Sequence, residues 1–271
     1  MVKKIPKAKG DKRVLVISDT HCGHLAGLTP PEYQYEYLDT SKTQRNKFAK
    51  QHKEMWQFFA DVVNSLRPID ILLFNGDAID GKGEKSGGTE LLSADRAEQV
   101  NMAVQVIEFI DAKKIAMTYG TPYHGGKDED WEAILADKVG ATISGHDWVD
   151  VNGLIIDFKH KVGSSSIPHG QLTPLLKSQL WGDLWAIRKK QPMADVVIRS
   201  HVHYTYLVES AYKKAIITPA LQGYGSKFGV RQCENTIDLG VIYLDVHSKK
   251  DFSCTKILLE CESQVVHARK L

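Results

Sequence analysis

Cysteine is scarce in this chain of 271 residues. Cys22, Cys233, Cys254 and Cys261 form no CxxC pair and no framework spacing, so a disulfide-stapled fold is not indicated and reduced thiols are expected. Long apolar runs are missing as well, and none reaches the length that spans a bilayer. The opening segment, MVKKIPKAKGDKR, is basic but lacks the apolar stretch and cleavage site of a signal peptide. The expected location is therefore cytoplasmic, with no membrane partner. Net charge is close to zero, at +2. A broad basic surface for duplex DNA is thus not indicated, although a local patch is compatible with it. Residues 1–12 read as a solvated basic tail, the alternative being an arm that touches phosphate. No internal repeat or low-complexity tract occurs.

What is present is an ordinary globular composition, 42% hydrophobic and 25% charged, in a chain long enough to bury a core without staples. No boundary divides it, so one domain over 1–271 is expected. Short apolar runs at Val14 to Ile17, Ile69 to Phe74, Ile115 to Tyr119, Asp195 to Arg199, Ala215 to Ile217, Val241 to Val246 and Phe252 to Leu258 read as strands. Phe48, Met55, Phe59, Val62 and Leu66 recur at helical spacing until Pro68 ends the run. Val100, Val104, Ile107 and Ile110 mark a second helix, and Trp131, Ile134, Leu135 and Val139 a short third. Asn152-Gly153 between Trp148–Val151 and Leu154–Phe158 predicts a hairpin, because a two-residue turn needs positive φ at both positions. Thr173 and Pro174 predict a helix start, with Thr173 as cap; Leu176, Leu180, Leu184 and Ile187 continue one face of that helix. Helices alternate with strands early and strands dominate late, which predicts an α/β sandwich with helices outside packed sheets.

Aspartate and histidine recur just after these strands: Asp19 and His21, Asp77, His124, His160, then His201 and His203. Loops at strand ends gather at one edge of a sheet, where α/β proteins build sites. Each residue alone reads more simply as a structural one; the ordered set points to metal. Imidazole nitrogen with carboxylate oxygen suits Mn²⁺, Fe²⁺, Zn²⁺ or Ni²⁺. One carboxylate can bridge two ions, Gly76 lets the backbone turn tightly beside Asp77, and a bent His-x-His sends its two rings to different ions.

The segments ISDTHCG, NGDAIDG, the stretch around His160 and SHVH, in this order, resemble the calcineurin-like metallophosphoesterase family, from the first strand to about Tyr204. The segment GTPYH resembles a variant among uncharacterised phage and prophage members. The resemblance implies a β-sandwich in α/β/β/α layers and a dinuclear centre, with manganese the first choice of metal. Asp19, His21 and His203 would bind one ion, His160 and His201 the other, Asp77 would bridge them, and His124 would be the acid beside the substrate. It implies hydrolysis of phosphate esters by a hydroxide bridging the two ions. Phosphodiesters, including nucleic acid or nucleotides, are the first choice of substrate. Phosphomonoesters or phosphoprotein, or a non-catalytic metal-binding scaffold, are the alternatives.

Two positions depart from the family pattern. The usual asparagine ligand is absent from Gly120-Thr121-Pro122-Tyr123-His124, where Thr121 is a poor replacement because a neutral hydroxyl binds metal weakly. His124 is then acid or ligand. Ser200 stands for the usual glycine of Gly-His-x-His. Around the site, His24 reads as a substrate contact or a surface histidine, Asp80 as a brace for the Asp77 turn, and Cys22 as buried packing. Tyr224, Lys227 and Arg231 are candidate phosphate or base contacts, or parts of a Gly-rich surface loop. Tyr33, Tyr35 and Tyr37 alternate as an edge strand would, or as bases would stack.

Overall fold

The computed structural model of the protein describes residues 3–34, 44–126, 129–226, 230–231, 235–265 and 267–268. Tyr35, Tyr37, Lys227 and Cys233 lie outside them. The first sheet runs β11–β10–β1–β2–β3–β4, built from β1 (Lys12–Ile17), β2 (Ile71–Asn75), β3 (Lys114–Thr118), β4 (Thr142–Ser144), β10 (Leu239–Ser248) and β11 (Asp251–Leu259). β1 to β4 are parallel, and β10 joins β1 antiparallel. The second sheet runs β5–β6–β7–β9–β8, from β5 (Asp147–Val151), β6 (Leu154–Lys161), β7 (Val196–Ser200), β8 (Tyr206–Glu209) and β9 (Lys214–Ile217).

Alternation along the strands builds three apolar layers. Val14 and Val16 point into the space between the sheets with Leu73, Ile156, Phe158, Val196, Ile198 and Ile216. Leu15, Ile17, Leu72 and Phe74 point the other way, against α1 (Gln44–Leu66), α2 (Arg96–Ile110) and α4 (Trp131–Lys138). Both faces are covered, which is why these strands read as unbroken apolar runs rather than alternating ones. Phe59 and Phe74 are fully buried, each worth about 1.5–3 kcal/mol over exposure. On the far face of the second sheet, Val197, Ala215, Ile217 and Tyr204 cluster with Leu175 of α5 (Thr173–Ile187). The order helix, sheet, sheet, helix is the α/β/β/α sandwich expected.

Local chemistry sets the boundaries. Asp95 caps α2 by accepting from Ala97 N–H, and Asp130 does the same for α4 through Ala133 N–H. The β5–β6 turn has Asn152 at φ 52° and Gly153 at φ 85°, as the hairpin reading requires.

Several expectations need correction. Thr173 is the first helical residue of α5 and caps nothing; Leu172 is the cap, with helical backbone. Val104 is only half-buried and Ile134 is exposed. Tyr33 closes a 3-10 turn (Pro31–Tyr33) and not an edge strand. The described part of the basic tail is docked: Ile5 N–H donates to Ser65 O, and Lys7 Nζ reaches Asp70 Oδ2 at 2.5 Å. The buried Arg13 guanidinium forks onto Asp245 at 2.7 and 2.6 Å and donates to the carbonyls of Ile5, Pro6 and Leu66. The largest difference is at α5, whose Leu176, Leu180, Leu184 and Ile187 face solvent. The sheet beneath carries the Arg199–Asp157 pair, and Arg199 Nε donates to Ser178 Oγ at 2.9 Å. That polar contact turns the Ser178 side inward and the leucines outward. Among the described residues no helix is long and apolar enough to cross a membrane.

Candidate metal centre

The ends of β1, β2, β6 and β7 meet at one edge of the sandwich. Beyond β1 and β2 the chain laces itself: Asp19 N–H donates to Gly76 O, His21 N–H to Asp77 O and Asp80 N–H to Cys22 O. Within these turns Asp19, His21, Asp77, His201 and His203 all hold positive φ, from 42° to 80°. Left-handed backbone costs a non-glycine residue on the order of 1–2 kcal/mol. Five such residues at one edge mark a place where the surrounding bonds over-determine an unfavourable geometry, as functional sites do. Gly76 and Gly120 permit the crowding. A Cβ on Gly76 would sit 2.6 Å from His160 Nδ1, and one on Gly120 would sit 2.1 Å from Asp77 Oδ1.

Six predicted ligands converge in two groups. Asp19, His21 and His203 form one and Asp77, His160 and His201 the other, the ligand atoms of each group lying within 4.8 Å of one another. His203 Nε2 is 3.3 Å and His21 Nε2 3.9 Å from Asp19 Oδ1, while His160 Nε2 is 3.0 Å and His201 Nδ1 3.8 Å from Asp77 Oδ2. A third group, His21, Asp77 and His124, meets the same limit, so His124 lies as close to the centre as the ligands do.

The donor set fits metal. Asp19 Oδ1, His21 Nε2 and His160 Nε2 are buried without a hydrogen bond, and an orphaned buried polar atom is costly unless something binds it. The opposite ring nitrogens are occupied. His160 Nδ1 is 2.7 Å from Asn75 O, a pure acceptor, so Nδ1 carries a proton and Nε2 is the nitrogen turned toward Asp77, free to ligate once it gives up its own proton. His21 Nδ1 is 3.1 Å from Asp80 Oδ1, the carboxylate–histidine arrangement that orients ligands in metal sites.

Charge follows the same logic. Burial pushes Asp19 and Asp77 up, but His160 and their other histidine neighbours outweigh it and hold both carboxyls well below the usual range. Burial opposes charge on His160, yet Asp77 and Asp19 raise it to about 10. His124 is likewise lifted to about 9, against burial, by Asp80 and Asp77. Burial, with His124 nearby, takes His21 down to about 4. Without metal, the carboxylates are balanced by protons on His160 and His124.

Thr121 is no ligand substitute. Its N–H donates to Asp77 Oδ1 at 2.6 Å and its hydroxyl to the same oxygen at 3.1 Å, which aims Asp77 Oδ2 at His160. Asp80 braces two histidines: besides His21, its carbonyl accepts from His124 Nδ1 at 2.9 Å. Sequence reasoning missed Glu132, buried on α4, whose oxygens accept Ala78 N–H at 2.9 Å and Gly120 N–H at 2.5 Å. Burial and Asp77 push Glu132 up to about 7. Also missed were Asn75 and its bonds to Thr118, at 2.7 Å, and Ser200, at 2.6 Å, which tie three strand ends beneath the centre. Asn75 left one trace, a polar residue closing an apolar run; Glu132 left none.

A cleft of about 410 Å³ opens over the centre. Among the described residues, Asp77, Asp80, Glu90, Tyr123, Asn235 and the rings of His21, His24, His124, His201 and His203 line it, and no Lys or Arg does. His24 is buried, not a surface residue, with Nδ1 accepting from Ala26 N–H at 2.9 Å. Tyr224 also lines the cleft, whereas Arg231 is exposed and does not. Cys22 is buried packing, its thiol pushed up to about 12 by burial.

No family model matches the chain, and no curated protein matches it. Among solved structures it is similar to Vps29 from Entamoeba histolytica complexed with zinc, at 15% identity over 91% of this chain and 98% of that one, with a TM-score of 0.47. It is similar to an archaeal phosphodiesterase at 15% identity, 90% and 99% coverage and a TM-score of 0.45. A predicted phosphoesterase from Streptococcus pneumoniae follows at 11% identity, 93% and 91% coverage and 0.41. Identities this low carry no residue role from one chain to the other.

Proposed function

We propose that this protein is a dinuclear metal-dependent phosphoesterase acting on phosphodiesters, including nucleic acid or nucleotides. The observation that carries the reading is the convergence of six ligand side chains at one strand edge, four of them lining the cleft, with three buried ligand atoms left without a hydrogen bond. Asp19, His21 and His203 would hold one ion and His160 and His201 the other, with Asp77 between them. Manganese is the first choice, and iron, zinc or nickel would also suit the donors. Bound ions of this kind supply Lewis acidity and a water acidified into the neutral range.

The remaining work falls to the chain. His124 Nδ1–H is held by Asp80 O, which leaves Nε2 as the nitrogen available to the cleft. Asp80 stays hydrogen-bonded to this ring, so a protonated His124 would be oriented to deliver its proton to the leaving oxygen. Asp80 holds His21 and His124 in place, and Thr121 and Glu132 hold the Asp77 turn. His24 and Tyr224 are placed to touch substrate. A diester is favoured over a monoester because the described cleft lining carries acids but no Lys or Arg, and a diester brings a single negative charge.

A second reading, a metal-binding scaffold without turnover, draws on one observation: Thr121 donates to Asp77 where the family pattern has an asparagine ligand. The two part on hydrolysis of bis(p-nitrophenyl) phosphate and p-nitrophenyl phosphate by metal-stripped protein with Mn²⁺ restored, beside Asp77→Ala. Turnover that needs metal, favours the diester and falls to background in the variant is expected. No turnover with Mn²⁺, Zn²⁺, Fe²⁺ or Ni²⁺ would favour the scaffold reading.

A further inference from the structure

A second depression, about 630 Å³ in volume, adjoins the cleft. Ser164 lines both, so the two are neighbours across that residue. Its floor is the loop that follows His160, and its far wall is α5. Lys161, Lys177 and Trp181 line it, with no acid among the described lining residues. The contrast with the cleft is one of charge: the cleft holds acids and histidines, and the groove holds lysines.

The α5 wall is unusual for a soluble helix. Its sheet-facing side carries Leu175, Ser178 and Gly182, while Leu180, Trp181, Leu184 and Trp185 are 40–59% exposed. Trp181 lines the groove and Trp185 lies one helical turn beyond it, with the Arg188 guanidinium 5.9 Å from its ring centroid, so the pair offers an aromatic and a cation–aromatic surface in a row. Past it, Arg188, Lys189 and Lys190 are exposed at the helix end. The only acid among the described residues of α5, Asp183, is paired with Lys213.

The geometry points to a single-stranded nucleic acid as the ligand of this groove, running out of the cleft past Ser164 with its phosphates on Lys161 and Lys177 and its bases on Trp181 and Trp185. Cationic side chains interleaved with aromatic ones is how proteins hold single strands without reading sequence. A membrane or a second copy of the chain would also cover an apolar helix. Anionic headgroups would also meet the two lysines, but neither occupant draws on the place of the groove, beside a cleft lined by candidate metal ligands. The inference rests on the phosphodiesterase reading for the place where the strand begins, but binding can be measured apart from turnover.

The test uses the full chain with Mn²⁺ and labelled oligo(dT) and oligo(U) of about 12 nucleotides, within the usual single-strand site size, phosphorothioate-linked to resist cleavage. Fluorescence anisotropy reads affinity. Trp181→Ala and Trp185→Ala are each expected to weaken binding about tenfold. Lys161→Ala and Lys177→Ala are each expected to lower the salt dependence of log K by about 0.7. With ordinary oligonucleotides, the ratio of strand turnover to bis(p-nitrophenyl) phosphate turnover should fall about tenfold in the tryptophan variants. Affinity unchanged in all four variants, with their melting temperatures intact, overturns the proposal. Binding to anionic vesicles, or a dimer in light scattering, that depends on Trp181 and Trp185 while strand binding does not, overturns it in favour of those occupants. Strand binding through the groove with no metal-dependent turnover of the small diester would retain the track and reject the phosphodiesterase reading.

Discussion

The strand-end centre and the outer face of α5 are opposite kinds of surface. At the centre nearly every polar group has its second contact specified: His160 by Asn75, His21 by Asp80, Asp77 by Thr121. What is left unbonded, Asp19 Oδ1 and the two Nε2 atoms, points to one place. On α5 Leu176, Leu180, Leu184 and both tryptophans are exposed, while the sheet-facing side holds the buried Leu175 beside Ser178, which accepts from Arg199. A buried polar group lacking a partner is expensive, so such a site must be built completely. An exposed apolar side chain costs little by itself and is tolerated until a partner arrives.

That difference predicts a steep gradient in the effect of substitution. His124→Ala should slow esters with poor leaving groups by roughly 10²–10⁴-fold and activated aryl esters far less. Equal slowing, read from steady-state rates on an alkyl and a nitrophenyl diester, would reassign His124 as a ligand, and metal content by mass spectrometry would then fall with it. Asp80→Asn comes next. Loss of the carboxylate behind His21 should weaken metal binding about 10–100-fold, measured by calorimetric titration; an unchanged affinity would mean that Asp80 serves His124 alone.

A carboxylate away from the cleft separates folding from function. Asp70 is nearly buried and accepts from Lys7, Arg13 N–H and Lys113. Burial raises its pKa, but those three donors together hold it well below the usual carboxylate range. A depressed folded pKa contributes stability that is present above the unfolded value, about 4, and is lost as the pH falls below it. Asp70→Asn should cost about 1–3 kcal/mol at neutral pH and flatten the acid limb of stability against pH, seen in urea melts, with metal binding unchanged. An acid limb as steep as the parent's would assign it to other carboxylates. At the shallow end, Leu180→Lys on α5 should change stability by less than about 0.5 kcal/mol; a loss several times larger would mean that this face packs in solution.

Much of the centre was legible because its ligands are local to strands. The apolar runs of β1, β2 and β7 are followed within a few residues by Asp or His; β6 departs from the expectation, since it runs on to Lys161 and holds His160 inside the strand. Asp80 was legible as a brace, though not that it serves two histidines. Glu132 and the orienting role of Thr121 were not, since their partners lie 12 to 54 residues away along the chain. Periodicity also misled at α5, where Leu176, Leu180, Leu184 and Ile187 mark a face but not its direction.

By itself, then, the sequence determined most strand and helix positions, a sandwich with helices outside and the Asp and His residues near strand ends, because periodicity and turn chemistry act over a few residues. The α/β/β/α order and the split into six ligands and an acid came from the family resemblance, and β4 and β8 were not foreseen. Tertiary structure alone decided how Asp77 is aimed, which histidine nitrogens face the cleft and which side of α5 meets water. Those depend on groups brought together from distant segments: Thr121 and Glu132 against the Asp77 turn, and the Arg199–Asp157 pair beneath Ser178, which drew the polar side of the helix inward.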